Sequence, residues 1–147
     1  MNLNFYVVHS STTTVYDCNL LHLPKIENPA GSITVIEGVK EIPFSIKRIY
    51  YLYDVPGGAS RGGHAHKHLH QLIIAASGSF DIILDDGKIK RTILLNRPYY
   101  GLLMPPGIWR DLSNFSSGAI CIVLASDVYK EQDYIRDYKE FQDHKQL

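Results

Sequence analysis

Two histidines, His64 and His66, follow the run Arg61-Gly62-Gly63, and they are the most reactive cluster in the chain. On a β-strand alternate residues share a face, so a strand here points both imidazoles into one space. Imidazole titrates near neutrality, which suits it to proton transfer and equally, through its lone pair, to metal binding. His68 and His70 share that face only if the strand runs on unbroken; a bulge or turn would redirect them. The plain alternatives are a hydrogen-bonded core pair for His64 and His66, and partly exposed polar residues for His68 and His70.

The elements that must hold this pair are mostly strands. Runs at 32–37, 46–55, 69–76, 79–84, 88–95, 101–104 and 119–125 are rich in β-branched, aromatic and aliphatic residues. Between them lie turn formers such as Asp85-Asp86-Gly87, Ser77-Gly78 and Asn96-Arg97-Pro98. Many short strands joined in this way predict an all-β sandwich or barrel. The segment 131–141 differs, placing Tyr134, Ile135, Tyr138 and Phe141 at helical intervals. It predicts a short amphipathic C-terminal helix with Tyr134 and Tyr138 in its packing stripe. Stretches 2–8 and 15–23 read as edge strands, and an N-terminal pair within 1–30 could exchange between the subunits of a closed dimer.

Composition narrows the function classes. One domain over 1–147 can enclose a sizeable core. Fifteen basic residues balance fifteen acidic ones, so no global field attracts nucleic acid or an anionic membrane, and no basic recognition helix is present. Any anionic ligand must be held locally. No basic start precedes a long apolar run and no stretch is long enough to span a bilayer, so a cytoplasmic location is expected. Cys18 and Cys121 fit no Cys-x-x-Cys pattern and read as ordinary thiols.

The spacing of Gly58, His64, His66, Gln71 and Gly78 resembles the first motif of the cupin superfamily, and Pro105-Pro106-Gly107, Arg110 and Asn114 resemble the second. The resemblance implies a cupin-type double-stranded β-barrel, or jelly roll, with the short helix at its C-terminal end. Gln71 stands where that superfamily carries a glutamate ligand, and Arg110 where it carries a histidine. A neutral amide and a permanent cation do not suit a divalent ion, so no metal and no cofactor are expected.

A narrower resemblance is carried by Pro43-Phe44-Ser45-Ile46-Lys47-Arg48-Ile49-Tyr50-Tyr51, Arg61-Gly62-Gly63-His64-Ala65-His66-Lys67, Asp85-Asp86-Gly87, Leu124-Ala125-Ser126-Asp127 and Asp133-Tyr134-Ile135-Arg136. From 31 to 141 the chain looks like the nucleotide-sugar 3,4-ketoisomerases. That implies a metal-independent isomerase moving the keto group of dTDP-4-keto-6-deoxy-D-glucose from C4 to C3, in deoxyamino-sugar synthesis for surface polysaccharides. It also implies a homodimer that can swap N-terminal strands. One departure is Ala30-Gly31, where the family often has Arg-Gly; a phosphate contact from that arginine would be missing.

Under this resemblance one of His64 and His66 removes the C3 proton and the other shuttles protons, in an order the sequence leaves open. Arg48 and Arg61 are the candidates for the pyrophosphate, with Lys67 and Arg110 as further basic candidates and Gln71 as a polar one. Tyr50 is either a hydrogen-bond donor to the sugar or a packing residue, and Trp109 either stacks on thymine or belongs to the core. The competing readings are a dTDP-sugar 3,5-epimerase, a non-catalytic sugar-sensing cupin, and a metal-dependent dioxygenase, the last opposed by Gln71 and Arg110.

Overall fold

The computed structural model describes residues 8–147. In chain order the strands are β1 (Asn19–His22), β2 (Lys25–Asn28), β3 (Gly31–Thr34), β4 (Arg48–Leu52), β5 (Arg61–His66), β6 (Gln71–Ser77), β7 (Phe80–Asp85), β8 (Lys90–Leu95), β9 (Tyr100–Met104), β10 (Trp109–Ser113), β11 (Ile120–Ala125) and β12 (Tyr134–Ile135), followed by helix α1 (Tyr138–His144). Two five-stranded antiparallel sheets result, ordered β1-β9-β6-β11-β4 and β12-β5-β10-β7-β8, and β2 and β3 form a separate hairpin.

Period-2 alternation builds the interior. Phe80, Ile82 and Leu84 on β7 are fully buried, and they share one core cluster with Ile73 and Ala75 of β6 and Cys121 and Val123 of β11. The two sheets therefore face each other across a common core, in the cupin-type jelly-roll arrangement expected. They close by side-chain packing; no ladder of hydrogen bonds joins one sheet to the other among the described residues, so the barrel is not continuous. The Asp85-Asp86-Gly87 turn forms as expected: Gly87 takes φ 92°, Asp85 accepts its N–H at 2.7 Å, and Asp86 accepts the N–H groups of Lys88 and Ile89, each at 2.9 Å.

Several elements differ from the sequence expectation, among them β2, which lies between the runs expected as strands. The run 15–23 divides into a 3-10 turn, Val15–Asp17, capped by Thr14, and the strand β1; the strand expected at 2–8 lies, apart from Val8, outside the described residues. Residues 131–141 are not one helix. Glu131–Asp133 is a 3-10 turn, β12 pairs with β5, and only then does α1 begin, its Asp137 cap accepting the Glu140 N–H at 2.9 Å. The apolar spacing is nonetheless used, because Ile135, Phe141 and Ala65 are buried together. Finally, β10 escaped notice because one of its two buried side chains is Arg110 rather than an apolar residue. No helix among the described residues is long and apolar enough to cross a membrane.

Candidate active site

The two histidines owe their direction to a bulge. Against β10, β5 pairs Arg110 with His64 but Leu112 with Arg61, so two residues of β5 oppose one of β10. Gly62 absorbs the irregularity at φ 86°, and a Cβ on Gly63 would stand 3.1 Å from Asp111 Oδ1. Such bulges re-aim the side chains that follow. Beyond it Ala65 packs outward with Ile135 and Phe141, and His64 and His66 turn to the other face. Their rings meet edge to face with centroids 4.9 Å apart. The strand ends at His66. His68 is exposed, and the His70 ring lies 6.4 Å from that of Phe44, so neither joins the pair.

A carboxylate absent from the sequence-derived set completes the arrangement. Asp133 Oδ2 lies 3.0 Å from His66 Nδ1, and its other oxygen accepts the His68 N–H at 2.7 Å. Burial raises the Asp133 pKa, but the hydrogen bond and charge of His66 outweigh that and hold the carboxyl below the usual aspartate value. An ionised carboxylate can only accept, so His66 Nδ1 carries the hydrogen and Nε2 presents its lone pair. That Nε2 is buried without a hydrogen-bond partner, as is Nε2 of His64.

Both rings are kept neutral. Burial, then the charges of Arg110, His66 and Arg136, lower the pKa of His64 to about 2. Burial also lowers His66, against the opposing pull of Asp133, to about 4. His66 is thus the more basic of the two.

A cavity of about 540 Å³ opens beside His64. Arg48, Arg61, Arg110 and Arg136 line it together with Tyr50 and Tyr134, and no carboxylate does. Only Arg136 among these arginines has a carboxylate partner among the described residues, Glu131, which accepts from its Nε at 2.7 Å and its Nη2 at 3.0 Å. Arg110 is 3% exposed, and its Nε and Nη2 donate to the Ile108 carbonyl. The wall is therefore built to receive negative charge.

The remaining expected residues fall as follows. Lys67 does not line this cavity; it borders a second one, of about 630 Å³, together with His66, Asp133 and Lys47, because the chain turns away after His66. Gln71 does not line the cavity either. It sits behind the wall, fully buried, donating to Tyr50 Oη at 3.0 Å and accepting from Arg110 Nη1. Trp109 packs against Tyr138 and Phe141 and donates to Asp111, away from the histidines. Tyr134, expected in a helical stripe, instead lies against both rings, at 5.1 Å from His64 and 4.4 Å from His66.

A metal does not fit this donor set. Among the described residues the two free Nε2 atoms are the only imidazole donors brought together here, and Arg110 adds a cation where a ligand would be needed. No group of three metal-ligating side chains occurs among the described residues.

Comparison with known proteins is consistent with these features. The family model described as FdtA: WxcM-like, C-terminal, matches residues 16–146. The TDP-4-oxo-6-deoxy-alpha-D-glucose-3,4-oxoisomerase of Aneurinibacillus thermoaerophilus is 47% identical over 122 residues, covering 83% of this chain and 88% of that protein. The crystal structure of a 3,4-ketoisomerase from Helicobacter canadensis has a TM-score of 0.87 at 46% identity, over 89% of this chain and 98% of its own. A 3,4-ketoisomerase from Thermoanaerobacterium thermosaccharolyticum, solved as a histidine-to-asparagine mutant in complex with TDP-4-keto-6-deoxyglucose, has a TM-score of 0.88 at 39% identity, over 90% of this chain and 96% of its own.

Proposed function

Because the chain belongs to the FdtA family, whose members aligned above are 3,4-ketoisomerases, we propose that it moves the keto group of TDP-4-keto-6-deoxyglucose from C4 to C3 without a metal. The observation that carries this reading is a pair of neutral imidazoles whose buried Nε2 atoms have no partner, beside an arginine that is ion-paired to no carboxylate among the described residues.

The chemistry follows from the geometry. The ketone acidifies the proton on C3, and removing it produces an enediolate whose negative charge develops on oxygen. One of the two histidines is the base: His64 lines the cavity, whereas His66, whose tautomer Asp133 fixes and whose imidazolium it would stabilise, stands behind it and borders the second cavity. Arg110 and the Tyr50 hydroxyl, both on the cavity wall, offset the oxyanion charge. The other histidine passes a proton between the two oxygens, the two rings being 4.9 Å apart. Proton return to C4 leaves the ketone at C3. Arg48 and Arg61 receive the diphosphate, as guanidinium forks match phosphate oxygens. The test is turnover of this sugar nucleotide by wild type against His66→Asn and His64→Asn, with loss of the chemical step expected in both.

The active form is a homodimer. Ile26 and Ile33 face each other across the β2–β3 hairpin and are 54% and 56% exposed. A two-stranded hairpin is marginal on its own, and residues so placed suit contact with another copy. Among the described residues strand β4 ends its sheet with one side unpaired, and it presents exposed Ile49 and Tyr51, followed by exposed Tyr53. Exchange of this N-terminal arm would cover both surfaces.

A further inference from the structure

We propose that Gln71 is a positioning residue whose neutral amide holds Arg110 without neutralising it and turns the Tyr50 hydroxyl toward the substrate. The inference rests on the reading above, in which Arg110 and Tyr50 face the reacting sugar. Gln71 itself touches no part of the cavity and is 1% exposed.

The amide orientation follows from chemistry. A guanidinium has only donors, so the Gln71 oxygen must face Arg110 Nη1 and the nitrogen must face Tyr50. The Tyr50 oxygen therefore accepts a hydrogen bond, and its own hydrogen remains free to donate. No acceptor for it occurs among the described residues other than what enters the cavity that Tyr50 lines. Arg110 meanwhile gives its Nε and one Nη2 hydrogen to the Ile108 carbonyl, which leaves two of its five donors free among the described residues and its full charge in place. One neutral side chain thus aims two electrophilic groups at the space beside His64.

A carboxylate of the same shape would reverse both effects. It would form an ion pair with Arg110 and draw the Tyr50 hydrogen inward. The charged and titratable groups around this position are Arg110 from β10, Tyr50 from β4, His64 and His66 from β5, Tyr134 from β12, Cys121 from β11, Cys18 and, acting on Arg110 from further off, Asp133; none is a carboxylate hydrogen-bonded to Gln71.

The test is Gln71→Glu in the full chain, with turnover and TDP binding measured together. The expected result is a fall in kcat of about 100-fold with the TDP dissociation constant within about threefold of wild type, since the diphosphate is held by other residues. In the same variant Tyr50→Phe should cost little further, whereas in wild type it costs about tenfold, because the hydroxyl is already turned away. Gln71→Met, apolar and similar in size, releases both Arg110 and the Tyr50 hydroxyl without adding a charge and should lower kcat, though less than Gln71→Glu does; if the glutamate variant does not fold, wild-type kcat in Gln71→Met overturns the proposal. Wild-type kcat in Gln71→Glu, equal losses in the two variants, or full additivity with Tyr50→Phe would overturn the proposal. If Tyr50→Phe and Arg110→Lys themselves leave kcat unchanged, the substrate-facing reading of those residues fails instead.

Discussion

Asp133 reaches across 67 positions of sequence to accept a hydrogen bond from His66 Nδ1 at 3.0 Å. The contact is made possible by β12, a two-residue strand that pairs Tyr134 with His66 and so brings the carboxylate to the end of β5. Asp133→Asn removes the charge that favours the protonated ring and offers a donor in its place. The expected outcome is a loss of at least about 100-fold in kcat with TDP affinity retained, measured by steady-state kinetics and calorimetry. Near-normal turnover would remove Asp133 from the mechanism.

The buried histidines also make stability depend on pH. His64 and His66 have folded-state values of about 2 and about 4, below the ordinary 6.5. As pH falls through 6.5 the unfolded chain takes up protons that the folded chain refuses. Stability present above pH 6.5 is therefore lost on acidification, by about 2 kcal/mol per histidine at pH 5. Melting temperature should drop between pH 7 and pH 5, and His64→Asn should flatten the slope. A melting temperature level over that interval would contradict neutral, desolvated rings.

Diphosphate recognition is separable from chemistry. Arg61 lines the cavity mouth, exposed and without a carboxylate partner among the described residues. Arg61→Ala should weaken TDP binding by about tenfold, the worth of one exposed charge-assisted contact, while single-turnover rates at saturation change little. An unchanged dissociation constant would exclude Arg61 as a phosphate ligand.

The hairpin arm gives a prediction about assembly. Ile26→Asp with Ile33→Asp places two charges on a surface that, in the proposed dimer, is covered. Light scattering should report a dimer for wild type and a monomer for the double variant. A wild-type monomer, or a double variant that remains dimeric at low micromolar concentration, would refute the arm-exchange reading.

The histidine pair was legible because strand alternation is local: His64 and His66 needed only β5 and its glycine bulge. So was the turn at Asp85-Asp86-Gly87, whose shape is set by side chains two or three residues apart. Asp133 and Tyr134 were not, because their roles depend on a pairing between distant segments, and the apolar spacing around them also fits a helix. The misleading period arose because Ile135 on a strand and Phe141 on a helix are buried together. A carboxylate and an aromatic side by side just before a short apolar segment were the available signal. Lys67 is a candidate for the ligand by its charge and Gln71 by its polarity and motif position; the turn after His66 and the inward burial of Gln71 put one beside another cavity and the other behind the wall. Arg136, like Asp133 and Tyr134, stood in a segment that carries the family resemblance, but its place at the cavity depends on where β12 ends.

The central claim is tested most directly by incubating the full chain with TDP-4-keto-6-deoxyglucose in deuterated water and following the sugar by NMR. The account predicts that the carbonyl moves to C3, with solvent hydrogen exchange confined to C3 and C4, and that His66→Asn abolishes the change. Exchange or inversion at C5, or an untouched substrate with wild-type protein, would contradict it.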